Sequence, residues 1–183
     1  MKPLRDNEES PNSIIPTILH ASQFVAKPEL GGFQLYSVSV TDQRMHFSAS
    51  HFVKSEDDIE NLHGHNYSVK VKLTGPLNED GMVHDFREVK SKALAICQTL
   101  DHKVLLPSKS KTINVTTSDG FVEVLVGKKR YVFPEDDCVI LPTKATTAEL
   151  LAKYFHDHFD FPKDRKVKVC VSESEGSTGC YVE

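Results

Sequence analysis

The sequence predicts an α+β fold: a four-stranded antiparallel sheet with two helices on one face and a small β insertion between those helices. Three observations support this. Short segments near both ends alternate apolar and polar residues, two longer segments repeat apolar residues at helical spacing, and the order is two strands, helix, insertion, helix, two strands. Helices that do not alternate with single strands pack together on one face of an antiparallel sheet.

Residues 1–32 mix Pro3, Pro11, Pro16 and Pro28 with charged and small residues without a sustained period, and read as an N-terminal arm. Residues 33–183 then form a single domain. "FQLYSVSV" and "MHFSASHF" alternate, which puts Phe47, Ala49 and His51 on one strand face. In "HNYSVKVKLTG", Tyr67, Val69, Val71 and Leu73 alternate with Ser68, Lys70, Lys72 and Thr74, a half-buried strand. "DFREVKSKALAICQTL" turns helical: Asp85 and Glu88 stand at capping-box spacing, and Val89, Ala93, Ile96, Cys97 and Leu100 make the apolar stripe. The insertion, at about 108–140, is strand-rich, with Asp119-Gly120 and Gly127 marking hairpin turns. "TTAELLAKYFHDHF" repeats the capping spacing with Thr146 and Glu149, and is expected to bury Leu150, Leu151, Tyr154 and Phe155. The chain closes on "KVKVCVSESEGSTGCYVE", a strand, a glycine turn and a last strand. The exposed edges of such a sheet leave ladder groups unpaired and favour edge-to-edge assembly.

At 183 residues and 39% hydrophobic content the chain supports one core. A formal charge of -4 gives no global attraction to nucleic acid or to an anionic membrane. No apolar run approaches the roughly 20 residues that span a bilayer. The four cysteines are widely spaced with no CxxC, which predicts reduced thiols in a cytoplasm, and neither a disulfide framework nor a thiolate zinc site. A metal site must then be built from histidine and carboxylate.

"IENLHGHNY" offers one. On a strand His63 and His65 share a face, roughly 7 Å apart, and can reach one ion. His51, ending the preceding strand, supplies a third imidazole; three neutral histidines leave an open position on zinc, as catalytic sites do. Taken alone, HGH serves equally well as a turn. "LDHKVL" places Asp101 and His102 at the end of the first helix, where the dipole favours imidazolium and the carboxylate orients it, an acid or base by type. Glu173 in "VCVSES" is either a hairpin-end carboxylate facing water or the partner of a ligand with paired N–H donors.

In order, FSASHF, LHGHNY, GMVHDF, LDHKVL, TTAE and VSES resemble the 6-pyruvoyl-tetrahydropterin synthase and 6-carboxytetrahydropterin synthase family, of T-fold architecture. The resemblance implies zinc (Zn2+) at His51, His63 and His65, acid–base work by Asp101 and His102, and a pterin anchored by Glu173 with Thr147 nearby. It also implies a homo-hexamer, a dimer of trimers with sites between subunits. Members making pyruvoyl or carboxy products carry a cysteine four to six residues before HGH; here those positions are Ile59, Asp58 and Asp57. The run E-x-x-H-G-H instead resembles a glutamate-bearing branch, including parasite members with an insertion between the helices. That branch is associated with converting 7,8-dihydroneopterin triphosphate to 6-hydroxymethyl-7,8-dihydropterin, a folate precursor, which makes Glu60 the candidate base. Two alternatives stand beside it: a pyruvoyl or carboxy outcome (biopterin or queuosine route) through Asp57, Asp58 or another group, and a non-catalytic pterin- or metal-binding homologue. Lys54, Lys103 and Arg87 lie near the motifs, but sequence does not assign any of them to the triphosphate.

Overall fold

The computed structural model describes residues 34–54 and 59–183; the expected arm at 1–32, together with Asp57 and Asp58, lies outside them. The sheet is built around β3 (His63–Gly75). On one side of it, β1 (Tyr36–Val40) and β2 (His46–His51) lie end to end, both antiparallel: Val40 pairs with Val71, and His51 with His63. On the other side comes β9 (Lys166–Ser174), then β10 (Ser177–Val182) as its hairpin partner.

The four antiparallel strands of the prediction are thus present in a wider, mixed sheet. β4 (Lys103–Pro107) adds to β2 in parallel, and β8 (Cys138–Leu141) adds to β4 in parallel, giving the order β10-β9-β3-β2-β4-β8 with β1 also on β3, seven strands in all. Pattern alone does not reveal this, because β4 and β8 are only 5 and 4 residues long. Between them, β5 (Ile113–Ser118), β6 (Phe121–Val126) and β7 (Lys129–Pro134) form a separate antiparallel meander. Its turns use Asp119, Gly120 and Gly127 at positive φ.

α1 (Phe86–Leu100) starts on Asp85, whose carboxylate accepts the Arg87 backbone N–H at 2.8 Å. Glu88 completes no capping box; it pairs with His84 at 3.1 Å. α2 (Ala148–Asp157) starts on Thr147 without a side-chain cap, so the expected Thr146–Glu149 box is absent. Thr146 is instead fully buried and donates its hydroxyl to the Phe52 carbonyl at 3.3 Å. Val89, Ala93, Cys97 and Leu100 of α1, and Leu151, Ala152 and Phe155 of α2, share one core with Phe47, Ala49, Tyr67, Val69, Val71, Val169 and Val171 of the sheet, so both helices cover the same face. Leu150 is only half-buried, correcting its expected place in the core. A second core gathers Phe52, Leu106, Ile113, Val122, Val124 and Val126 under the meander. No helix among the described residues is long and apolar enough to cross a membrane.

Two of the cysteines depart from the expectation of reduced thiols. The hairpin register sets Cys170 opposite Cys180, and the two are joined in a disulfide with Cα atoms 4.1 Å apart. Spacing along the chain could not show this, since cross-strand partners are fixed by register and turn length. Cys97 and Cys138 are free.

Gly179 lets β10 meet the start of α2: a Cβ there would stand 2.5 Å from the Glu149 nitrogen and 2.6 Å from the Ala148 carbonyl carbon. Backbone on both sides leaves little room to yield. Gly179→Ala is expected to destabilise the fold by about 1–3 kcal/mol, the usual range for overpacking, in urea unfolding. A midpoint equal to that of the wild type would mean that α2 is not clamped there.

Candidate metal centre and adjoining acidic cavity

His51, His63 and His65 converge because β2 and β3 pair in a register that puts His51 directly opposite His63, while His65 follows on the same face of β3. One ligand nitrogen from each lies within 4.8 Å of the others. Between them Gly64 lets the strands pair closely, since a Cβ there would come 3.0 Å from the Ala49 carbonyl oxygen.

The donor set fits a cation. The Nδ1–H of His51 donates to the Thr146 carbonyl at 3.0 Å, and that of His63 to the Asn61 carbonyl at 2.8 Å. Each bond fixes the tautomer that leaves Nε2 bare, the usual second-sphere arrangement of a metal-bound histidine. The two Nε2 lone pairs then face one another at 3.1 Å, which is repulsive unless positive charge lies between them. Burial pushes the His51 imidazole down to about 4, against the Thr146 bond and with help from His63 and His65, so it is a neutral ligand near pH 7. These residues can hold a metal ion.

Glu60 reaches the same place. Its backbone N–H donates to the Val53 carbonyl at 2.9 Å, and Lys54 bridges to Ile59, which sets Glu60 beside the end of β2. The Glu60 carboxylate ends 3.5 Å from Nε2 of His63 and is about half exposed.

Glu173 and Thr147 line one small cavity of about 170 Å³ with Val53, Ala148, Glu149 and Gly179. Burial raises the Glu173 carboxyl, offset by the nearby His65 and reinforced by Glu149. The cavity therefore lies near His65 and presents a carboxylate that, among the described residues, forms no ion pair within 4.0 Å.

Asp101 and His102 sit elsewhere. His102 adopts φ 58, its N–H donates to the Ser48 carbonyl at 2.7 Å, and its Nδ1 lies 2.9 Å from the Asp101 carboxylate. Asp101 also accepts the Ser48 N–H at 2.8 Å, which, with His102, holds its carboxyl below the ordinary range. His102 lines a cleft of about 570 Å³ with Ser48, Ala49, Ser50, Gly64, His65 and Asn66. The side chains of Ser48, Ser50 and Asn66 alternate to the sheet face opposite Phe47 and His51. Asp101 and His102 bond to each other and to Ser48 rather than to a triad histidine. Sequence reasoning missed Thr146, whose carbonyl orients His51; its capping-like spacing masked that role.

The family model for 6-pyruvoyl tetrahydropterin synthase matches residues 40–183. The chain belongs to this family. It is a 6-pyruvoyl-tetrahydropterin synthase-like lyase with the T-fold. Among solved structures it is similar to the 6-pyruvoyl tetrahydropterin synthase of Plasmodium falciparum, with a TM-score of 0.76 and 29% identity over 81% of this chain and 98% of that one. The Plasmodium vivax enzyme matches with the same TM-score and identity over 82% and 98%. Its glutamate-to-cysteine and glutamate-to-alanine forms are described as catalytic-residue mutants. Among curated relatives, a Methanocaldococcus jannaschii protein assigned as a 6-carboxy-5,6,7,8-tetrahydropterin synthase is 32% identical over 145 residues, 75% of this chain and 89% of its own.

The raised Glu173 carboxyl carries a sign. Its folded value lies above its unfolded one, so charging it costs stability once the pH exceeds the unfolded value near 4.3, and the cost is absent below that. Glu173→Gln in metal-free protein is expected to raise the urea midpoint at pH 7, with the gain vanishing below about pH 4. A gain independent of pH would point to packing as its cause.

Proposed function

We propose that this enzyme is a zinc-dependent lyase that cleaves the side chain of 7,8-dihydroneopterin triphosphate to give 6-hydroxymethyl-7,8-dihydropterin, a folate precursor. The observation that carries the reading is the Glu60 carboxylate 3.5 Å from His63 Nε2, three residues ahead of the HGH run whose cysteine-bearing relatives place a thiol shortly before it. No described thiol can replace it. Cys97 is buried in the core with its thiol pushed up to about 12, Cys138 belongs to β8, and Cys170 and Cys180 are bonded to each other. The glutamate called catalytic in the Plasmodium vivax enzyme supports the same role.

His51, His63 and His65 would hold the zinc, which as a Lewis acid lowers the pKa of a substrate hydroxyl. Glu173 accepts hydrogen bonds from the paired N–H groups of the pterin edge, with Thr147 beside it. Glu60 takes the proton of the hydroxyl on the second side-chain carbon. The bond between the first and second carbons then breaks, the second becomes an aldehyde, and the electron pair passes to the first carbon and the conjugated ring. His102, oriented by Asp101, returns a proton to that first carbon. Because the Asp101–His102 pair bonds to Ser48 rather than to a triad histidine, each pair would serve a neighbouring subunit. This requires the homo-hexamer, a dimer of trimers, and light scattering that finds a monomer would remove it. Placement in the cytoplasm, with Cys97 and Cys138 reduced, belongs to the same reading, although the bonded Cys170–Cys180 pair argues against a fully reduced protein.

A second reading has its own support, since the Methanocaldococcus jannaschii relative is assigned to 6-carboxy product formation. One experiment decides. Zinc-loaded protein, its metal content measured, is incubated with the triphosphate and the product identified by mass spectrometry. Hydroxymethyl-dihydropterin is expected; a retained, oxidised side chain selects the synthase outcome, and unchanged substrate a binding protein. Glu60→Gln is expected to lower turnover by about 10²–10⁴ with zinc still bound. Full activity in that variant would remove Glu60 from the chemistry.

A further inference from the structure

A third cavity, of about 400 Å³, is lined by Lys54, Lys109, Lys111 and Lys144 over a floor of Phe52 and Ile113. In a chain of net charge -4, four cations and, among the described residues, no carboxylate around one hollow is a local inversion of sign. Among the described residues no acidic side chain pairs with any of the four within 4.0 Å. The other cations near the motifs are committed: Arg87 to Asp85 at 2.7 Å, and Lys103 to the Asp136 carbonyl.

The backbone under these lysines is held in place. Ser110 accepts the Thr112 and Ile113 N–H groups at 3.3 and 3.1 Å, while Ser108 and Lys109 donate their N–H groups to the Leu141 and Thr143 carbonyls at 2.9 Å each. The turn carrying Lys109 and Lys111 is thereby tied beside Lys144. Phe52 and Ile113 are 1% and 4% exposed, so the floor is a low-dielectric wall that strengthens the field of the cations above it.

This cavity shares chain segments with the histidine triad. Phe52 follows His51, and Ala145 precedes Thr146, whose carbonyl holds His51. The same two chain segments line the Glu173 cavity, through Val53 on one and Thr147 to Glu149 on the other. The residues that follow His51 and those around Thr146 thus line both an acidic cavity and a basic one. Three extended residues span at most about 10 Å, so Lys54 begins within that distance of His51.

We infer that Lys54, Lys109, Lys111 and Lys144 form a polyphosphate-anchoring site that receives the phosphate tail of the substrate whose ring lies against Glu173. The ligand class rests on the function proposed above, because in 7,8-dihydroneopterin triphosphate the phosphate ester begins on the carbon next to the two hydroxyls. Each lysine adds a charge-assisted hydrogen bond that the unphosphorylated pterin cannot make.

The test measures binding by calorimetry on metal-loaded protein, using inorganic tripolyphosphate, 7,8-dihydroneopterin and its triphosphate. Tripolyphosphate should bind the wild type more weakly as salt rises. Lys109→Ala/Lys111→Ala/Lys144→Ala should weaken it at least tenfold and lower the affinity ratio of triphosphate to unphosphorylated pterin by a similar factor, with Lys→Arg at the same positions restoring both. Equal tripolyphosphate binding by the wild type and the alanine variant overturns the site, whatever the product assay shows. If tripolyphosphate binding is lost in the variant while the wild type makes no pterin product, the anion site stands and the proposed reaction falls.

Discussion

The pairing of His51 with His63 across β2 and β3 is the constraint on which the site depends. Side chains alternate along a strand, so a slip of one residue would turn His51 to the opposite face and scatter the ligands. Register is secured by what lies behind it: Phe47 and Ala49 on β2 and Tyr67 on β3 belong to the helix-covered core, with Phe47 stacked on Tyr67 at 4.7 Å between ring centroids. The core that stabilises the sheet also sets the positions of the three histidines that can hold a metal ion. Thr146 adds the last restraint, taking the Nδ1 proton of His51 from a position just ahead of α2.

Two segments with little regular structure, 52–54 and 144–149, therefore have importance beyond their length. Successive residues on each turn toward different cavities, one carrying Glu173 and the other four lysines. A substrate with hydrogen-bond donors at one end and negative charge at the other would be oriented before any chemistry began. Such orientation converts binding energy into placement of the reacting bond.

Much of this was legible in the sequence, for physical reasons that can be named. The alternation in β3 showed because one face is solvated, and α1 showed through its stripe and the Asp85 cap. The convergence of His51, His63 and His65 was visible because residues two apart on a strand share a face. What did not show depends on register or on chain returning from far away. The parallel additions of β4 and β8 are short strands recruited by β2. Cys170 and Cys180 meet only through the hairpin register, and Thr146 has the spacing of a cap while serving as an anchor. The lysines come from three separated stretches, each of which by itself resembles ordinary surface.

Phe52 closes the account. It follows a metal ligand directly, yet its ring packs not in the main core but in the smaller one beneath the meander, 5.0 Å from the ring of Tyr131. The meander is thereby mechanically joined to the end of β2, and remodelling its underside would loosen the backbone that carries His51.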